Sequence, residues 1–186
     1  MKVMTALALI IATVIVTLLA LRGLGFAGRD VGQYADTTPR FDVTRHLSGP
    51  MLSEGVIFGP TGKVAARFTA RMQGDWQGDS GTLHEEFTFA SGARQTRTWQ
   101  LTRHSDGRLT GTAPDVIGTA TGETAGAALK LRYRLRLEPD AGGHVLDVTD
   151  WLFLNPDGSI TNRSEMRKFG VKVAELVASI RPVPAN

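Results

Sequence analysis

From residue 52 onward, apolar and polar side chains alternate with period two. The clearest run sets Leu129, Leu131, Tyr133, Leu135 and Leu137 against Lys130, Arg132, Arg134 and Arg136. Residues 64–72 repeat the pattern, with Val64, Ala66, Phe68, Ala70 and Met72 on one side and Arg67, Thr69 and Arg71 on the other. Such alternation belongs to a strand with one dry and one wet face. Turn sequences punctuate the chain at short intervals, including Gly59-Pro60-Thr61-Gly62, Ser91-Gly92, Asp106-Gly107 and Asn155-Pro156-Asp157-Gly158. The pattern predicts strands over 52–59, 63–74, 79–90, 93–103, 107–114, 116–123, 127–138, 144–154 and 159–169. Residues 171–181 fit a further strand and a short helix about equally. Closing such a meander removes its two edges, so the expected fold is an all-β, up-and-down antiparallel barrel of about eight to ten strands.

Two turns fix expected registers. Asn155-Pro156-Asp157-Gly158 suits a type I turn followed by a left-handed glycine, which pairs Asn155 with Ser159. Leu154 then faces Ile160, Leu152 faces Asn162, and Asp150 faces Ser164, placing Asp150 and Asn162 on the apolar face. Trp151 falls on the other face, beside Arg163, where ring and guanidinium can stack. A turn centred on Ser91 pairs Phe87 with Gln95, Glu85 with Arg97 and Leu83 with Trp99. Glu85 and Arg97 become a cross-strand ion pair among Leu83, Phe87, Phe89 and Trp99. A slip of one residue would turn one strand over. Residues 111–128 are mostly small, with Gly118, Gly122 and Gly126 four apart. They predict a thin wall, read either as room for a cavity or as a tight corner.

The N-terminus is different in kind. Residues 3–21 carry no charge, between Lys2 and Arg22. The run suits a membrane anchor, and it exceeds the apolar core of about 7–15 residues usual in a signal peptide. The alternative is a signal peptide cut near Ala27, after Gly25 and Phe26. Either way the expected organisation is 1–27 anchor or signal, 28–50 linker and 51–186 barrel. A short helical turn is possible around residues 41–47. Either reading exports the rest of the chain.

Composition narrows the function. A hydrophobic share of 42% is enough for a packed core. The absence of cysteine excludes a disulfide scaffold, a thiolate metal site, a cysteine nucleophile and a lipid-modified N-terminal cysteine. Lys+Arg 21 against Asp+Glu 18 gives +3, most of it from Lys2 and Arg22, so no nucleic-acid partner is expected. The basic run Lys130 to Arg136 reads as the solvated face of a strand. Gly78-Asp79-Ser80-Gly81 has the letters of a protease nucleophile segment but lies in a hairpin turn, without the geometry a triad needs. The four histidines show no ligand spacing, so no metal, cofactor or catalytic residue is assigned. Asp115, Asp147 and Asp150 are the carboxylates available for acid–base work.

Many scattered residues together resemble a known bacterial family, domain of unknown function 3833, from about Phe41 to Ile180. They include Gly74-Asp75-Trp76-Gln77-Gly78, Glu85-Glu86-Phe87, Arg97-Thr98-Trp99, Asp115-Val116-Ile117-Gly118, Asp150-Trp151, Asn162-Arg163 and Lys168-Phe169-Gly170. The resemblance implies a lipocalin-like barrel in an envelope protein. Members often carry a lipoprotein signal, and their genes often lie near enzymes of fatty-acid modification. This chain departs by lacking cysteine, by Ala127 in place of the usual Asn, and by Thr149 in place of a frequent second Asp. The expected function is a membrane-tethered barrel that binds an apolar or amphipathic partner, an acyl chain or lipid. Glu85, Arg97, Asp150 and Asn162 would orient its head group, while Leu83, Phe87, Phe89, Trp99 and Tyr133 line the pocket. The alternatives are an enzyme on a lipid or isoprenoid substrate, using inward acids as proton donors, and a structural envelope module without ligand. An acid with a raised pKa in a cleft would mark the enzyme, and a barrel filled with large side chains would mark the structural module.

Overall fold

A computed structural model describes residues 4–7, 9–13, 16 and 26–184. Ten strands close into one antiparallel barrel: β1 (Gly49–Phe58), β2 (Val64–Gln77), β3 (Ser80–Phe89), β4 (Arg94–Arg103), β5 (Arg108–Thr112), β6 (Val116–Ala125), β7 (Ala128–Arg136), β8 (Val145–Leu154), β9 (Ile160–Lys168) and β10 (Val171–Pro182). Each strand pairs with its neighbours in sequence, and β1 pairs with β10 to close the ring. That closure decides the ambiguous segment 171–181. Strand β1 needs a second partner for its backbone, so the tertiary context makes this stretch β.

The two expected registers hold. Glu85 pairs with Arg97, Leu83 with Trp99 and Phe87 with Gln95. Asp150 pairs with Ser164, Leu152 with Asn162 and Leu154 with Ile160. Gly158 takes the left-handed φ of 82° that the Asn155–Ser159 loop requires. In β7, Leu129, Leu131 and Leu135 are buried while Arg132, Arg134 and Arg136 are exposed.

Residues 31–48, most of the expected linker, are packed onto the barrel. A 3-10 turn at Val31–Tyr34 and the short helix α1 (Val43–His46) bring Phe41, Val43 and Leu47 into the core with Met51, Leu101 and Leu109. Asp42 caps α1, accepting hydrogen bonds from the backbone N–H of Thr44 (3.0 Å) and Arg45 (3.4 Å). Trp76 Nε1 donates to the carbonyl of Leu47 (3.0 Å), and Phe41 N–H donates to the carbonyl of Gly126 (2.7 Å). The approach is close enough to demand glycine at two places. A Cβ on Gly74 would stand 1.9 Å from the Leu47 carbonyl oxygen, and one on Gly126 (φ +52°) 1.8 Å from that of Tyr34. This segment thus stoppers the barrel end where β2–β3, β4–β5, β6–β7 and β8–β9 turn. Asp42→Ala is expected to cost about 1 kcal/mol, a fall of roughly 3 °C in a thermal melt.

The chain divides into two units at Asp30 and Val31. In the first, residues 4–7, 9–13 and 16 are helical, and Phe26–Gly28 is a 3-10 turn. Residues 3, 8, 14–15 and 17–21 of the expected anchor lie outside the described residues. Among the described residues, no helix is long and apolar enough to cross a membrane.

Candidate functional site

The barrel is not filled. Between the stopper and the opposite loops runs a cavity of about 730 Å³, within the range of small-molecule sites. Alternation sends every second side chain inward, and the register fixes which ones. Leu83, Glu85, Phe87 and Phe89 enter from β3, Arg97 and Trp99 from β4, Tyr133 from β7, Asp150 from β8 and Asn162 from β9. All nine expected pocket residues therefore line one space. Phe87 and Phe89 stack with centroids 6.4 Å apart, and Phe68 meets Phe87 edge-on at 5.4 Å. The mouth adjoins a recess of about 440 Å³ between Pro114, Leu137, Pro139 and Gly142.

Polar groups gather on one side of this apolar space. Arg97 donates from Nε (2.9 Å) and Nη2 (2.6 Å) to Asp115 Oδ2, while Glu85 Oε2 stands 3.9 Å from Arg97 Nη1. The expected Glu85–Arg97 pair is thus real in register but loose. The tight partner is Asp115, carried in by the β5–β6 loop. Asp150 accepts from Tyr133 Oη (2.8 Å), from Asn162 Nδ2 (3.3 Å) and from Ser164 Oγ. Ser164 was legible, because the register sets it opposite Asp150. Asp115 was not, since loop residues 113–115 carry no alternation that assigns a face. Glu85 Oε2 and Asp115 Oδ1 are buried acceptors with no hydrogen-bond partner among the described residues.

The electrostatics follow from crowding three carboxyl groups around one guanidinium. Burial pushes the Glu85 carboxyl up to about 7; Arg97 pulls it down and Asp150 pushes it further up. Burial works against the Arg97 charge, but Tyr133, Glu85 and Asp115 more than restore it, so Arg97 stays a cation. Burial, then the neighbouring Asp150, hold the Tyr133 hydroxyl well above its usual value. Tyr133 is therefore a donor over the whole accessible pH range. Among the described residues, no group of three His, Cys, Asp or Glu side chains is arranged to hold a metal ion.

The small-residue stretch was open between a cavity and a tight corner, and Lys130 departs from its solvated reading. The small-residue wall is not hollow: a Cβ on Gly122 would meet Leu131 Cδ1 at 2.6 Å, and one on Gly111 would meet Leu101 Cδ2 at 2.8 Å. Large neighbours use the space the small residues leave. Lys130, read as solvated, is buried at 5% exposure with its Nζ 4.9 Å from the Trp151 ring centroid. Trp151 lies on the outer face as expected, yet it is 1% exposed because Tyr34 packs edge-on against it at 5.5 Å. The cause is the segment 31–37, which covers that part of the wall.

Solved structures place the fold. The barrel is similar to the S-type phycobiliprotein lyase CPES from Guillardia theta, with TM-score 0.56 and 5% identity over 77% of this chain and 92% of that one. It is similar to Rv2717c from M. tuberculosis, with TM-score 0.56 and 16% identity over 80% of this chain and 100% of that one. At these identities the likeness shows a lipocalin-like barrel and no activity. No curated protein matches the sequence. A family model described as "Protein of unknown function (DUF3833)" matches residues 20–182.

Proposed function

The chain belongs to the DUF3833 family, proteins of unknown function, and we propose that its barrel holds one amphipathic small molecule, a lipid or similar chain, in the central cavity. The observation that carries this is the 730 Å³ space with aromatic walls and a polar cluster on one side. The apolar part of the ligand lies against Phe68, Phe87 and Phe89. Its polar end meets Glu85, Arg97, Tyr133, Asp150 and Asn162. Arg97 is already engaged by Asp115 and Glu85, so a carboxylate-ended ligand would bring a fourth negative group to one cation. Charge therefore favours a neutral or cationic donor at the polar end, an alcohol, amide or amine, over a free fatty acid. In this reading the charge-free stretch 3–21 exports and tethers the barrel in a bacterial periplasm.

Native mass spectrometry of the full chain, extracted in mild detergent, tests the proposal. One amphipathic molecule per chain is expected. A chain that always emerges empty, and that does not take up the fluorescent amine N-phenyl-1-naphthylamine, would refute it. Ala174 lines the cavity. Ala174→Trp is expected to weaken uptake of that probe at least about ten-fold, read by fluorescence titration, with little change in the melting temperature.

A second reading rests on the Glu85 carboxyl, raised to about 7 inside a cavity. There it would serve as proton donor to a lipid or isoprenoid substrate. Glu85→Gln separates the two readings. A binder keeps the same bound mass in the variant, whereas an enzyme accumulates an unconverted molecule of different mass.

A further inference from the structure

The open end of the barrel carries apolar side chains that nothing in the fold covers. At the β9–β10 turn, Phe169 is 89% exposed, and Val171 beside it is 66% exposed. Phe169 also sits at φ 51°, the left-handed region, where every other residue with positive φ in the described chain is glycine. An aromatic residue is disfavoured there, and an exposed ring returns no burial to offset the strain. Lys168 Nζ lies 5.6 Å from its ring centroid. Strands β1 and β10 are paired, so the β1–β2 turn stands next to this hairpin, and it presents Val64 at 58% exposure. A single exposed apolar residue needs no explanation; three on adjacent hairpin tips, one of them strained, do.

Exposed cations outnumber the unengaged acids around these tips. Lys63, Arg94 and Arg136 are exposed at the same end and make no ion pair among the described residues. The acids there are largely engaged. Arg167 holds Glu165, and Arg163 and Lys172 hold Glu175, which leaves Glu138 at the mouth and Asp140 in the same β7–β8 loop. Apolar tips flanked by free cations fit the interface of an anionic bilayer, where rings enter the headgroup region and each cation gains from the surface potential.

We propose that the mouth of the barrel docks on an anionic lipid surface through Phe169, Val171 and Val64, with Lys63, Arg94 and Arg136 on the headgroups. The docking does not depend on what the cavity holds. Its consequence is that the cavity opens toward lipid rather than water, so an amphipathic molecule can pass between bilayer and barrel without crossing solvent.

The chain has no cysteine, so single-site labelling is straightforward. The full chain, held in neutral-lipid nanodiscs, carries an environment-sensitive dye at Thr61→Cys on the β1–β2 turn or at Ser105→Cys at the stoppered end. Vesicles containing phosphatidylglycerol and a brominated quencher lipid are then added. The dye at 61 is expected to be quenched, the dye at 105 is not, and vesicles of phosphatidylcholine alone quench neither. Phe169→Asn, which suits the left-handed backbone and keeps the fold, is expected to weaken vesicle binding at least about five-fold. Lys63→Glu is expected to do the same. Equal quenching at both positions, no quenching at 61, equal response to neutral vesicles, or unchanged binding by Phe169→Asn would overturn the proposal.

Discussion

Replacing Arg97 with leucine is expected to destabilise the barrel by about 3–5 kcal/mol at pH 8. The guanidinium is the one cation among Glu85, Asp115 and Asp150, and it makes both short hydrogen bonds to Asp115. Leucine fills the space but strands the Asp115 carboxylate, whose Oδ1 is already without a partner. Desolvated charge with no compensation is the costliest kind of single change, and this one consumes a large part of an ordinary domain's stability. The deficit is expected to shrink at pH 5, where the Glu85 carboxyl is protonated and adds no negative charge to the cluster. Urea denaturation at the two pH values reads both effects. Arg134→Leu is the control, since Arg134 is exposed and lies 4.0 Å from Asp147; its effect is expected within about 0.5 kcal/mol. A loss below about 1 kcal/mol for Arg97→Leu would mean that the cluster is hydrated and carries no buried charge.

The pH dependence of Glu85 gives the second large effect. Its folded pKa is about 7 against an ordinary value of 4.5. Between those values the folded chain holds a proton that the unfolded chain has released, so stability falls as pH rises. Below pH 4.5 Glu85 contributes no difference; above pH 7 its ionisation costs about 3 kcal/mol. Glu85→Gln removes the titration. The wild-type chain is therefore expected to lose about 3 kcal/mol more than Glu85→Gln between pH 4 and pH 8 in parallel urea titrations. Parallel stability curves for the two proteins would contradict the burial of this carboxyl.

How much of this could be read from the chain depends on which forces are local. Strict alternation and the loop lengths of Asn155–Ser159 and Phe89–Ala93 fix which side chains face inward, and they carried Glu85, Arg97, Asp150 and Asn162 to one interior. The burial of Lys130 and Trp151 depends on Tyr34, more than ninety residues away in sequence, and no pattern within β7 or β8 encodes a covering segment. The short helical turn around 41–47 was expected and is present, but its docking as a stopper was illegible for a related reason. Phe41, Val43 and Leu47 have too few neighbours to show a period, and only the glycines at 74 and 126 mark where the backbone approaches. The reading of β10 turned on a long-range partner, β1, that local propensity cannot weigh. Asp115 reaches Arg97 from a loop, where position along the strand gives no direction.

The central claim is that the interior is open and that its polar cluster receives the head of an amphipathic molecule. A crystal structure of the chain grown with an ω-brominated long-chain alcohol tests this most directly. The account predicts an anomalous bromine peak inside the barrel, with the hydroxyl within hydrogen-bond reach of Glu85 or Asp150. Bromine confined to the outer surface, or an interior closed over by Phe87, Phe89 and Trp99, would contradict it.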